Sequence, residues 1–344
     1  MINMSYKLPS GLTDFQKEMY IHLIEWKWKN ISTEPGIYSK KDKKGFIKEY
    51  VYDAILPESV RDSYPLIFPD VLDDLKAHKV LLDFKLHDYF HHMASSQAAN
   101  FNLFLPVLLH ANTNDIFRKL KSDFMILATE ELYKGFRIEF WDGNSAKEKG
   151  LLGDHSKNAG TDSDIAIAYY NKQNELCLWL IEHKLTEKEF TNCGGYRTRY
   201  NNYKESCSNS YSVILAKKDL CHYHRVNKYE YWNLTEANKD LFCHADAENH
   251  CPFRDGLNQL WRNQLLGLGL EQQGKYKHVF FSVVKHPDNH ALDAVLSDYQ
   301  MLTNNDIRFS WFSSCEILRA AEALNNEALY AWAAWYRDLY MIEQ

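Results

Sequence analysis

The sequence predicts an α/β protein, a central mixed sheet flanked by helices with a helical N-terminal extension. Three observations predict it. A run rich in β-branched and aromatic residues, Ile165 to Tyr170, and a second apolar run, Cys177 to Lys184, flank the polar stretch Asn171 to Asn174, which reads as a hairpin. Ahead of the hairpin a helical pattern from Ile116 to Leu132 gives way to a strand-like run, Phe136 to Phe140. Behind it strand and helix patterns alternate over Lys277 to Val284, Asn289 to Leu302, Phe309 to Phe312 and Ile317 to Leu339, the order of a sheet covered by helices.

Taken from the start, Asp14 to Trp28 carries Phe15, Met19, Leu23 and Trp26 at helical spacing, with Asp14 as the expected N-cap. Lys40 to Lys48 reads as a charged, exposed connection, and Pro57, Pro65 and Pro69 break the chain before a helical pattern resumes over Val71 to Lys85. The first ninety residues are therefore expected to be mainly helical, and residues 91–344 to form the chemical domain, with a Cys/His-rich insertion around 190–255. Phe101 to Leu109 is strongly apolar, and Pro106 is expected to end or kink a helix there. Gly256 to Gln272 places Leu257, Leu260, Trp261, Leu265 and Leu268 on one helical face, with Asn258, Arg262 and Asn263 opposite.

At 344 residues and 45% apolar composition the chain can bury a large core. No apolar run reaches bilayer length, and Met1 to Thr13 lacks the apolar segment of a secretory signal, which predicts a cytoplasmic protein with no membrane partner. Seven cysteines, an odd number in a large chain, point to reduced thiols rather than a disulfide framework.

The chemistry concentrates on Gly160 to Glu187. Side chains alternate along a strand, so Glu182 and Lys184 project together while Trp179, Ile181 and His183 fill the other face, and Asp162 and Asp164 share a face in the same way. If the open end of the hairpin aligns, Asp164, Glu182 and Lys184 meet. Two carboxylates on neighbouring strands suit Mg²⁺, which Mn²⁺ can replace, and a lysine beside them can stabilise developing negative charge or orient an attacking water. That chemistry is phosphodiester hydrolysis.

An Asp, a turn, and Glu-x-Lys closing an apolar strand resembles the PD-(D/E)xK nuclease superfamily and its restriction-endonuclease-like fold. Asp164, Glu182 and Lys184 match the motif, with His183 at its variable position and Ser163 in place of the proline that often precedes the Asp. The blocks HMASSQAANFNLFLP, GFRIEFWDG, GTDSD, IEHKLTEKEF and CPFRDGLNQLWRNQ are similar to a bacterial restriction-endonuclease branch. The resemblance implies a Mg²⁺-dependent DNA endonuclease of restriction or antiviral defence, with a further upstream acid in the metal site. Glu139, at the end of its apolar run, is the first candidate for that acid, and Glu130 or Glu131 the alternative. Ser96 and Gln97 fall in a matching block, as substrate contacts or as a helix start.

Net charge is −6, a poor match to a polyanion taken over the whole chain. From Lys184 to Lys228, however, nine bases oppose four acids. Lys188, Arg197 and Arg199 are the expected nucleic-acid contacts there, the arginines interleaved with Tyr196, Tyr200 and Tyr203. Cys193, Cys207, Cys221 and Cys251 are candidate ligands of a zinc ion or an iron–sulfur cluster, without C-x₂-C spacing and with free thiols as the alternative. Asp142 to Ala159 reads as a polar loop that covers the site, or as a surface connection. A homodimer and a protein partner in a defence system are further expectations. An RNase or structure-selective repair nuclease would use the same residues, and a catalytically silent nucleic-acid-binding subunit would keep only the surface.

Overall fold

A computed structural model describes residues 6–42, 45–82, 84–143, 148–156, 160–202, 204–247 and 249–343. The α/β class holds. The strands are β1 (Gly36–Lys41), β2 (Ile47–Tyr52), β3 (Phe124–Leu127), β4 (Phe136–Phe140), β5 (Ser163–Asn171), β6 (Leu176–Lys184), β7 (His278–Lys285) and β8 (Phe309–Ser313). Six of them form one mixed sheet in the order β3-β5-β6-β7-β8, with β4 also on β5, and β1 and β2 form a separate hairpin. β5 and β6 are antiparallel with Ile165 opposite Ile181, whereas β6–β7 and β7–β8 run parallel.

The helices are α1 (Asp14–Asn30), α2 (Glu58–Arg61), α3 (Leu72–Leu82), α4 (Ser96–Leu108), α5 (Thr113–Leu120), α6 (Gly194–Arg197), α7 (Tyr211–Ala216), α8 (Tyr231–Ala237), α9 (Asn258–Gln272), α10 (Asp293–Leu302), α11 (Ser314–Glu322) and α12 (Glu327–Leu339). The sheet separates two cores, as its period of two requires. Ile165, Ile167, Tyr169, Trp179 and Ile181 pack with α1, α4, α5, α11 and α12, while Ala166, Ala168, Leu178 and Leu180 pack with α7 to α10. α9 lies against β6 and β7 at Gly267, where a Cβ would stand 3.2 Å from Val279 Cγ1. Met19, Leu23, Leu56 and Leu66 share a core with Phe104 and Trp332, so the N-terminal segment packs on the sheet face.

Several boundaries differ from the sequence reading. The cap of α1 is Thr13 rather than Asp14, in a capping box in which Gln16 N donates to Thr13 Oγ1 at 3.2 Å and Thr13 N donates to Gln16 Oε1 at 3.0 Å. Ile116 to Leu132 is not one helix. α5 stops at Leu120, and the β-prone residues Phe124 to Leu127 pair with β5 instead. Pro106 lies inside α4, in its final turn and two residues before Leu108, and does not itself terminate it. Of the stretch expected as a connection from Lys40 to Lys48, Lys40 and Lys41 lie in β1 and Ile47 and Lys48 in β2, where they alternate and pair. The C-terminal helical pattern splits into α11 and α12 around Asn325, which adopts φ 53°.

Candidate active site

The register carries Asp164 and Glu182 to facing positions. Ile165 opposes Ile181, so one step towards the open end of the hairpin brings the two acids together on the face of Ala166 and Leu180. Glu139 falls between Ile138 and Phe140, which pair with Ile165 and Ser163, and so lies beside Asp164 from the other strand. Its φ is 48°, a left-handed conformation in mid-strand that a non-glycine residue adopts only where its surroundings impose it. Glu139, Asp164, Glu182 and Lys184 all line one cleft of ≈ 630 Å³. Glu130 and Glu131 are elsewhere. Glu130 accepts from Tyr170 Oη at 2.7 Å and Glu131 pairs with Lys275, near the far end of β5.

Each of these groups is held in place. Lys184 Nζ donates to Glu182 Oε1 at 2.8 Å, with Glu182 5% and Lys184 8% exposed, so the pair is shielded from water. α9 supplies two more donors to the same carboxylate, Gln259 Nε2 to Oε1 at 2.7 Å and Asn263 Nδ2 to Oε2 at 3.1 Å. His183 N donates to Asp164 Oδ2 at 2.6 Å, and Asn100 Nδ2 of α4 holds the Asp164 carbonyl at 3.1 Å. Gln97, buried in the first turn of α4, donates through Nε2 to Glu139 Oε1 at 2.7 Å and is itself fixed by His87 N at 2.8 Å. His183 is packed on the opposite face, where burial lowers its imidazole to about 4.

The electrostatics follow from crowding negative charge in a partly dry place. Burial, reinforced by Asp162 and Glu182, pushes the Glu139 carboxyl up to about 8 against the Gln97 hydrogen bond. Burial and the charges of Glu182 and Glu139 raise Asp164 well above the usual carboxylate range, although Lys184 and the His183 N–H oppose them. Burial alone would lower Lys184, but Glu182, Glu187 and Asp164 raise it above its ordinary value. Lys184 is thus a fixed cation facing carboxyls that repel one another.

Asp162 stands in a second cleft of ≈ 460 Å³ that shares His87, Gln97 and Glu139 with the first and is lined also by Arg137 and Trp141. It pairs with His155 at 3.3 Å, and His155 stacks on Trp141 with centroids 3.5 Å apart. Residues 144–147 and 157–159 of the polar loop Asp142 to Ala159, read as a site cover or a surface connection, lie outside the described residues, as does Tyr203.

The expected basic contacts are exposed but do not line the main cleft. Lys188 and Arg197 point to solvent, and Arg199 lies on the ring and hydroxyl of Tyr200. Arg262 turns inward, reaching Gly160 O and Thr161 Oγ1 at 3.4 Å each. Gln259 went unread in the sequence, and Asn263 was placed on the polar face of its helix, with Glu182 not read as its partner. Their spacing of four, which puts two amides on one helical face, was the available signal.

The four candidate cysteine ligands come into neighbouring loops as free thiols. Cys251 N donates to Cys207 O at 3.1 Å, Cys193 N to Arg254 O at 3.1 Å, and Tyr196 N to Cys193 Sγ at 3.4 Å. Burial pushes Cys193 up to about 12 and Cys207 up to about 11, and the neighbouring cysteines add to both. Among the described residues no group of three or more His, Cys, Asp or Glu side chains is arranged to hold a metal ion. A magnesium site needs no such cage, since one or two carboxylates with water and phosphate suffice. Among the described residues no helix is long and apolar enough to cross a membrane.

A family model described as Restriction Endonuclease associating with ARP matches residues 32–341. No curated protein and no solved structure matches the chain.

Proposed function

The chain belongs to the family described as Restriction Endonuclease associating with ARP, and from that premise we propose that it is a metal-dependent DNA endonuclease of the PD-(D/E)xK type, acting in restriction or another defence against foreign DNA. The observation that carries this reading is the convergence of Glu139, Asp164, Glu182 and Lys184 on one cleft. Mutually repelling carboxyls with raised proton affinity are a chemistry that a hard cation relieves, and oxygen donors are what Mg²⁺ or Mn²⁺ takes. Asp164 and Glu182 would hold the ion, with Glu139 and the His183 carbonyl completing the donor set. When bound, it supplies Lewis-acid polarisation of the scissile phosphate.

The chain's own groups do the rest. Lys184, held by Glu182, presents a positive charge where negative charge develops as water oxygen bonds to phosphorus and the bond to the leaving sugar oxygen breaks. Gln259 and Asn263 fix the Glu182 carboxylate, and Gln97 fixes Glu139. The test is Asp164→Ala on a DNA substrate with Mg²⁺. The expected result is loss of cleavage by at least about 10²-fold with DNA binding kept, and full cleavage by the variant would remove the assignment.

Three further parts belong to the same reading. A double-strand cut in one encounter needs two such clefts, so a homodimer is expected, read by sedimentation of the full chain. The family's description speaks of association with ARP, and a protein partner for this chain is proposed on that ground. A zinc ion or iron–sulfur cluster pinning the insertion at Cys193, Cys207, Cys221 and Cys251 is the third, and it requires these thiols to draw together, since no three of the described His, Cys, Asp or Glu side chains stand as a ligand set.

A further inference from the structure

The β1–β2 hairpin has two unlike faces. Its register pairs Gly36 with Tyr52, Tyr38 with Tyr50 and Lys40 with Lys48, and these alternate with Ile37/Val51, Ser39/Glu49 and Lys41/Ile47. Directly paired residues of an antiparallel ribbon share a face. One face therefore carries three tyrosines and two lysines with no acid, and the other carries Ile37, Ile47 and Val51 with Ser39, Lys41 and Glu49 and no aromatic ring. Lys40, Lys48 and Tyr50 are exposed, and among the described residues neither lysine forms an ion pair.

This face is continuous with the candidate active site. Tyr38 and Tyr89 share a hydroxyl hydrogen bond of 2.9 Å with ring centroids 5.5 Å apart, and both Tyr89 and His87 line the 630 Å³ cleft. From the cleft outward the rings form a chain: His87 and Tyr89 at 5.0 Å, Tyr38 and Tyr50 at 6.3 Å, and Tyr50 and Tyr52 stacked at 6.3 Å with planes 8° apart. A core would bury such rings, yet Tyr50 and Tyr89 are 41% and 46% exposed.

We propose that this tyrosine and lysine face is a platform for single-stranded nucleic acid, on which unpaired bases of the substrate beside the cleft stack while Lys40 and Lys48 take their phosphates. Aromatic rings stack on any base, and cations along the ribbon neutralise the backbone, which makes the grip indifferent to sequence and sensitive to salt. The overall acidic charge is no obstacle, because the positive charge is local to the ribbon. The proposal rests on the nuclease reading of the cleft and adds the class of substrate, a nucleic acid with a single-stranded flank or opened end.

The test measures anisotropy of a fluorescein-labelled 20-mer of single-stranded DNA, and of its duplex, with the full chain in chelator so that no strand is cut. Tyr50→Ala is expected to weaken the single-strand complex by roughly 5- to 150-fold, the range of one lost stacking contact, and Tyr50→Phe to keep it. Lys40→Ala with Lys48→Ala is expected to reduce the salt slope by about 1.4. No single-strand binding by the wild type, equal affinity of all variants, or a loss confined to the duplex would each overturn the platform. These residues are at the surface, and thermal melts of each variant check that the fold is kept. Plasmid cleavage by the same proteins separates the two claims. Cutting retained with unaltered single-strand binding refutes the hairpin role alone, and binding altered as expected without any cutting by the wild type refutes the nuclease reading alone.

Discussion

Glu139 combines a left-handed backbone in mid-strand, a half-buried side chain at the cleft wall and a single amide donor from Gln97. Local strain of that kind costs on the order of 1–3 kcal/mol and persists where the surroundings impose it, which fits a residue whose direction matters more than its stability. Its proton affinity gives a test independent of catalysis. The folded carboxyl titrates at about 8 instead of the ordinary 4.5, so its stabilising contribution is complete below 4.5 and disappears as pH rises through about 8. Glu139→Gln cannot ionise. In chelator its melting temperature should exceed that of the wild type by an amount that grows from pH 6 to pH 9, and a constant difference would mean that the carboxyl does not hold its proton as described. The sequence made Asp164, Glu182 and Lys184 legible because strand alternation and motif spacing are local. It could not reveal the φ of Glu139 or its bond to Gln97, which join residues 42 apart in the chain.

At the scale of elements, α9 is more than a cover for the sheet. Its apolar residues were readable from helical periodicity, and Leu260, Trp261, Leu265 and Leu268 are buried as expected. Its amides Gln259 and Asn263 were not readable as partners of Glu182, because only packing against β6 and β7 brings that helix face to the strand end. Removing one of these donors with Asn263→Ala should lower Mg²⁺-dependent cleavage or apparent metal affinity about 10- to 100-fold. A Mg²⁺ titration of activity checks it, and an unchanged titration would leave α9 with a packing role alone. The β1–β2 hairpin was missed for the opposite reason. Its alternation was present, but lysines on both sides of the turn made the stretch look like solvated chain. The cysteine loops have their own test, metal analysis with a visible spectrum of protein purified without chelator. About one zinc per chain, or iron with visible absorption, is expected, and metal-free protein with four titratable thiols at these positions would refute the metal centre.

Across the whole molecule, the sheet divides two cores and holds its chemistry at one end, where β4, β5 and β6 meet α4 and α9. The alternation of strand and helix patterns disclosed that class in advance. Strand order was beyond reach, since the parallel pairing of β6 with β7 joins segments about a hundred residues apart and leaves no local trace. The N-terminal segment shares its core with the C-terminal helices, so residues that read as an extension help to carry α4 and thereby Gln97 and Asn100. Charge is similarly uneven. A net −6 coexists with a basic stretch after β6 and a lysine-bearing ribbon beside the cleft, which is how an acidic chain can still hold a polyanion. The most direct measurement is Mg²⁺-dependent nicking of supercoiled plasmid by wild type beside Lys184→Ala, with a chelator control. The account predicts cutting by the wild type, abolished by chelator and lost in the variant, and equal cutting by both proteins, or cutting that survives the chelator, would contradict it.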